Sequence, residues 1–200
     1  VSALSQHDRI QPIGGFRCKK YIPFYAANAI LLVPIILCHY AAERTWRQIN
    51  RMIRLKAAHQ ILKRQTSNST SIIVLDQGPV YTLTTLFEDE KAKGQRFDAW
   101  WNSTLSEWAT MLDMVIWLDA PEEVLLERIR TRDKWHLIKE KSDQEARDFL
   151  VRFRTLCKGV IDKLTESSGT KVVSYDTSRC PLPQIIKSTL IALSLDINSG

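Results

Sequence analysis

Three aspartates stand where apolar runs stop: Asp76 after SIIVL, Asp119 after MVIWL and Asp176 after KVVSY. A carboxylate at the end of a buried strand can hold magnesium beside a nucleotide phosphate, directly or through water. Asp76 is therefore the candidate metal ligand and a candidate catalytic residue; its plainer reading is a cap for the turn that follows, a task Asp performs well. Gly78, two residues on, gives room for a ligand or simply makes the turn. A second constellation is cationic. Arg128 and Arg132 are four apart and share one face of a helix end, and Lys134, His136 and Lys139 follow. Phosphoryl transfer needs cations around the charge that grows on the phosphate oxygens, and the guanidinium fork matches that geometry. Arg128 and Arg132 are the catalytic candidates of this group, and Lys134 and Lys139 the candidates for gripping a phosphorylated cofactor. A solvated charge run at a helix C-terminus would have the same composition.

These residues need elements to place them. Residues 1–20 are polar and irregular, broken by Pro12 and Gly14-Gly15. The stretch 21–42 is the most apolar of the chain. Pro23, Asn28, Pro34 and His39 interrupt it, which favours a buried helix over a membrane anchor. Over 43–65, Trp46, Ile49, Ile53, Ala57 and Ile61 repeat at helical spacing, while Arg44, Arg47, Arg51, Arg54 and Lys63 form the opposite face. That face reads as solvated, since it lacks the interleaved aromatics of a nucleic-acid surface. Buried strands are expected at 72–75, 114–118 and 172–175, and helices at 98–112, from Pro121, from a capping box at Ser142 and Glu145 to about Glu166, and from Pro181 to about Ser194. Strands alternating with helices make the class α/β with a mainly parallel sheet. Ligands of such a sheet bind beyond the carboxyl ends of its strands. Asp76, Asp119 and Asp176 stand there.

The bulk numbers bound this reading. A chain of 200 residues, 44% hydrophobic and 25% charged, suits a single folded domain. A net charge of +6 attracts anions. Cys18, Cys38, Cys157 and Cys180 form no C-x-x-C pair, which argues against zinc and for a reducing, cytoplasmic setting. The start at Val1 reads as a truncation or processing point, and the first twenty residues lack the apolar core of a signal peptide.

SIIVLDQGPVY at 71–81, VIWLDAPEEVLLERIRTRDK at 115–134 and VVSYDTS at 172–178 together resemble the nucleoside and nucleotide kinases of the P-loop fold, thymidylate-kinase-like proteins above all. The resemblance implies a three-layer P-loop NTPase-like fold whose first strand and phosphate loop are missing, since no G-x-x-x-x-G-K-[ST] occurs in the chain. It implies one kinase-like domain over 1–200, with 130–141 as a mobile lid. It implies ATP and Mg2+ as cofactors and a phosphotransferase acting on a nucleoside, nucleotide or sugar. A non-catalytic binding or regulatory module is the alternative, and a membrane-anchored protein another. Asp176 and Thr177 match the loop that lies near the nucleotide in that family. Gln77 departs from it, standing where the family carries arginine. The implied partner is a small phosphate acceptor. Nucleic acid and membrane are not expected, and an apolar patch left by truncation would favour a homodimer.

Overall fold

A computed structural model describes residues 10–13, 22–40, 46–66, 72–76, 78–88 and 95–197. Among them are four strands, β1 (Ile10–Ile13), β2 (Ile72–Leu75), β3 (Met114–Asp119) and β4 (Lys171–Asp176). The helices are α1 (Ile22–Tyr40), α2 (Trp46–Thr66), α3 (Pro79–Phe87), α4 (Gln95–Ala109), α5 (Glu122–Thr131), α6 (Asp143–Ser168) and α7 (Leu182–Ile197).

The strands do not join into one sheet. β1 pairs with β2 and β3 with β4, each pair parallel, as two separate two-stranded sheets. This overturns the expected three-layer P-loop arrangement: the described residues are mainly helical and no three-layer parallel sheet is present among them. The strand positions were readable from apolar runs bounded by turns. Their partners were not, because pairing is a long-range choice that local periodicity does not encode. β1 lies inside the stretch expected to be irregular; Pro12, opposite Val74, hid it, since proline cannot donate to a ladder.

The chain divides into two compact units, residues 1–113 with 156–170, and residues 114–155 with 171–200. Helix α6 contributes to both. In the first unit, α1 and α2 form an antiparallel hairpin. Asn28 Nδ2 donates to Gln60 Oε1 at 2.9 Å, and the Arg64 guanidinium lies 4.7 Å above the Phe24 ring. The core gathers Leu83, Leu86, Phe97, Trp101, Trp108 and Leu164. Helix α3 falls in a stretch without a helical signature, its Thr and Val content being that of a strand. Pro79 opens it, and burial of Leu83, Thr84 and Leu86 overrides the propensity. α1 is helical as its length suggested, but its expected burial holds for one face only: Asn28 and Leu32 are buried, while Ile30 is 71% and Leu31 67% exposed. Among the described residues no helix is long and apolar enough to cross a membrane.

His59 lies in this unit with its ring at 76° to that of Trp108, and Nε2 sits 3.1 Å from the Glu107 carbonyl oxygen. Burial pushes its pKa below the ordinary histidine value, outweighing the pull of Glu107. The folded state thus prefers the neutral ring. Its stabilising contribution is complete above the ordinary value near pH 6.5 and is lost as pH falls through that value toward the lowered one. Thermal melts between pH 7 and pH 5 should show a falling Tm, and His59→Gln should flatten the slope. An equally steep slope in the variant would show that His59 does not cause it.

In the second unit, Leu126, Ile129, Ile138 and Ala146 form a small core, with Phe149 and Leu150 against it. The capping box forms as expected. Ser142 N and Oγ both donate to Glu145 Oε2, at 3.1 and 2.7 Å, and these bonds hold the Glu145 carboxyl below its usual range. α6 ends at Gly169, whose φ of 71° is the left-handed region where glycine carries no Cβ penalty.

Candidate functional site

β3 and β4 pair from Met114 opposite Lys171 to Asp119 opposite Asp176, so both strands stop at the same level. Two carboxylates therefore stand side by side at the carboxyl edge. The ladder runs one residue further: the Thr177 amide donates to the Asp119 carbonyl oxygen at 2.7 Å, and Thr177 Oγ1 donates to the same oxygen at 2.9 Å. Arg128 closes this corner. From the second turn of α5 its Nη1 donates to Thr177 Oγ1 at 2.7 Å and its Nη2 to the Thr177 carbonyl oxygen at 3.0 Å.

Asp176 is folded into its own turn. Its Oδ1 accepts from Ser178 N at 2.9 Å and Ser178 Oγ at 2.5 Å. The Ser178 hydroxyl, ahead of the Ser178 amide and the nearby Arg179, keeps the Asp176 carboxyl below its ordinary range, so it stays charged in mildly acidic solution.

Arg154 of α6 is the most heavily engaged cation. Its Nε donates to Asp119 Oδ1 at 3.2 Å and its Nη2 to the Ala120 carbonyl oxygen at 2.6 Å, while Nη1 bonds Glu122 Oε1. One guanidinium thus ties the end of β3 to the first turn of α5. Glu122 is held below the usual carboxylate range by its own backbone N–H first, with Arg154 adding to it. Sequence reasoning missed Arg154. It lies 35 residues from Asp119, and no local spacing links the two.

The segment from 132 to 141 is tied at both ends. Arg132 ends α5, and its carbonyl oxygen accepts from Lys139 Nζ at 2.6 Å. Arg130 donates to the Lys141 carbonyl oxygen at 3.1 Å and pairs with Asp143 at 2.5 Å. Ile138 is wholly buried between these ties. Burial first, then the neighbouring Arg132, pushes the His136 pKa below the ordinary histidine value. Trp135 stays 78% exposed, and the Arg132 and Lys134 side chains face solvent.

The sequence-derived candidates thus fall into groups. Arg128, Asp176 and Thr177 come together at the strand ends. Arg132 and Lys139 share a hydrogen bond in the following segment. Lys134 stands exposed beside them in the chain. Asp76 belongs to the other unit, exposed in the turn that ends β2. Gly78 serves packing: a Cβ there would meet the Leu75 Cβ at 3.2 Å, so glycine allows the chain to fold back on β2 before α3. Among the described residues no group of three or more His, Cys, Asp or Glu is placed to hold a metal ion. A lone carboxylate such as Asp76 fits a magnesium held chiefly by substrate phosphate and water, not one held by protein ligands alone.

No protein-family model, curated protein or solved structure matches this chain.

Proposed function

We propose that the protein is a cytoplasmic small-molecule phosphotransferase that binds phosphate groups at the carboxyl edge of β3 and β4. The observation that supports this reading best is the level ending of the two parallel strands, with Arg128 laid on Thr177 and Arg132 exposed just past the end of α5, where the backbone has turned extended and no longer continues the helix face expected for the pair. Loops at that edge of a parallel pair are where ligands of open sheets bind. Arg128 would orient the Thr177 loop. Arg132 and Lys134 would meet the phosphoryl oxygens as their charge grows. ATP is the donor in this proposal, and a nucleoside, nucleotide or sugar the acceptor. Bound magnesium would neutralise phosphate charge. Cys180 is a free thiol, in keeping with a reducing compartment.

The test is ADP release from ATP over a panel of nucleosides, nucleotides and sugars, with ATP binding followed by calorimetry. Turnover should appear with one acceptor class. Arg132→Ala should lower kcat about a hundredfold with little change in KM, because its guanidinium is free to act on charge present only in the transition state. A second reading, a non-catalytic binding module, draws on the engagement of Arg128 and Arg154 in internal bonds. ATP binding without turnover would select it. Neither binding nor turnover would remove both.

A further inference from the structure

The α1–α2 hairpin presents two unlike surfaces next to each other. Neither helix contains an aspartate or glutamate. On α1, Ile22, Ala26, Ile30 and Val33 fall at helical spacing on one exposed stripe, and Leu31 and Pro34 continue the apolar surface beside it. The buried line of α1, through Asn28 and Leu32, faces α2, so the exposed stripes point away from the hairpin's own packing. On α2, Arg47, Arg51 and Arg54 fall at the same spacing, all exposed, and Trp46 precedes them at 70% exposure. Large aliphatic side chains gain from burial, so leaving several of them in water is costly unless something covers them.

We propose that this hairpin docks the protein onto an anionic phospholipid surface, with α1 lying in the plane of the interface and the α2 arginines on lipid phosphate. Charge complementarity selects that occupant. Two helices without an acidic residue, in a chain of net charge +6, are attracted to anionic headgroups through their exposed arginines. The exposed α1 face offers no hydrogen-bonding side chain over Ile30, Leu31 and Val33, which fits fluid acyl chains that demand no geometric match. Trp46 is the residue type that gathers at headgroup level. Arginine stems lie along apolar surface while their heads stay hydrated. Pro34 removes the N–H that would bond the Ile30 carbonyl, and that freed oxygen needs water, so α1 suits the wet interface and not the hydrocarbon centre. This inference stands apart from the phosphotransferase reading, because it uses none of the residues at the β3 and β4 ends.

The test is co-sedimentation of the full chain with vesicles of phosphatidylcholine plus phosphatidylserine, and with phosphatidylcholine alone. Binding is expected on the anionic vesicles only, and it should weaken as salt is raised. The triple variant R47Q/R51Q/R54Q should bind about a hundredfold more weakly. The double variant I30S/L31S should lose about tenfold or more. Both change exposed positions, and circular dichroism confirms that each variant keeps its helix content. Leu182→Ser, at an exposed position of α7, is the control and should bind as the parent does. The proposal is overturned if anionic vesicles do not bind the chain, or if binding survives both variants. It is also overturned if I30S/L31S instead abolishes a concentration-dependent dimer of a chain that ignores vesicles; that result would make the face a contact between two copies.

Discussion

Trp108→Ala should be the most damaging single substitution in the first unit, lowering its stability by about 3–5 kcal/mol in urea titrations followed by circular dichroism. Trp108 is 1% exposed, on the inner line of α4, among the residues that make the main core. Its ring also packs nearly perpendicular to that of His59, with centroids 5.5 Å apart, so its removal opens a cavity and unseats a neighbour. Domains commonly hold only about 5–15 kcal/mol in total, so a loss of this size removes much of the margin. The indole N–H finds no acceptor among the described residues, so little hydrogen bonding is lost with it. Trp108→Phe, which keeps most of the volume, should therefore cost only about 1–2 kcal/mol. Equal losses for the two variants would show that the hydrogen-bonding end of the ring, and not its bulk, holds the core.

Arg154→Met should have the largest effect in the second unit, about 2–3 kcal/mol by the same measurement. Breaking a buried ion pair costs about 3–5 kcal/mol, because the abandoned charge stays desolvated. Here Arg154 is 19% exposed, Asp119 30% and Glu122 26%, so water relieves part of that cost. Methionine keeps the stem and its packing and removes three hydrogen bonds at once. Arg154→Lys restores the charge, yet a single ammonium cannot span Asp119, Glu122 and the Ala120 carbonyl as the planar fork does, and it should recover less than half of the loss. Adding Asp119→Asn to Arg154→Met should return some stability, since the carboxylate left without its cation is then gone. Strict additivity of the two substitutions would mean that they do not act on each other and that the clamp has no energetic meaning. Arg154 is engaged with Asp119, Glu122 and the Ala120 carbonyl and has no guanidinium nitrogen left over for a phosphate. Any loss of activity in its variants should track loss of fold, unlike the effect expected of Arg132→Ala.

Much of the local structure was written in the sequence, since it depends on neighbours within one turn or one strand. The Ser142–Glu145 capping box, Pro121 at a helix start, and the apolar runs ending in Asp76, Asp119 and Asp176 all appear where spacing placed them. So does the solvated arginine face of α2. For the candidate site, the sequence supplied Arg128, Asp176 and Thr177 as separate residues. It could not show that Arg128 spans 49 positions to fasten Thr177, or that Arg154 spans 35 to hold Asp119. Tertiary structure alone decided that four strands pair as two couples and not as one sheet. A strand's apolar pattern says that it needs partners, and leaves open which ones. It also decided which side of α1 is buried. A helix apolar all round carries no stripe to mark an inner face, so the choice fell to Asn28, whose amide had to find Gln60, and to Leu32 beside it.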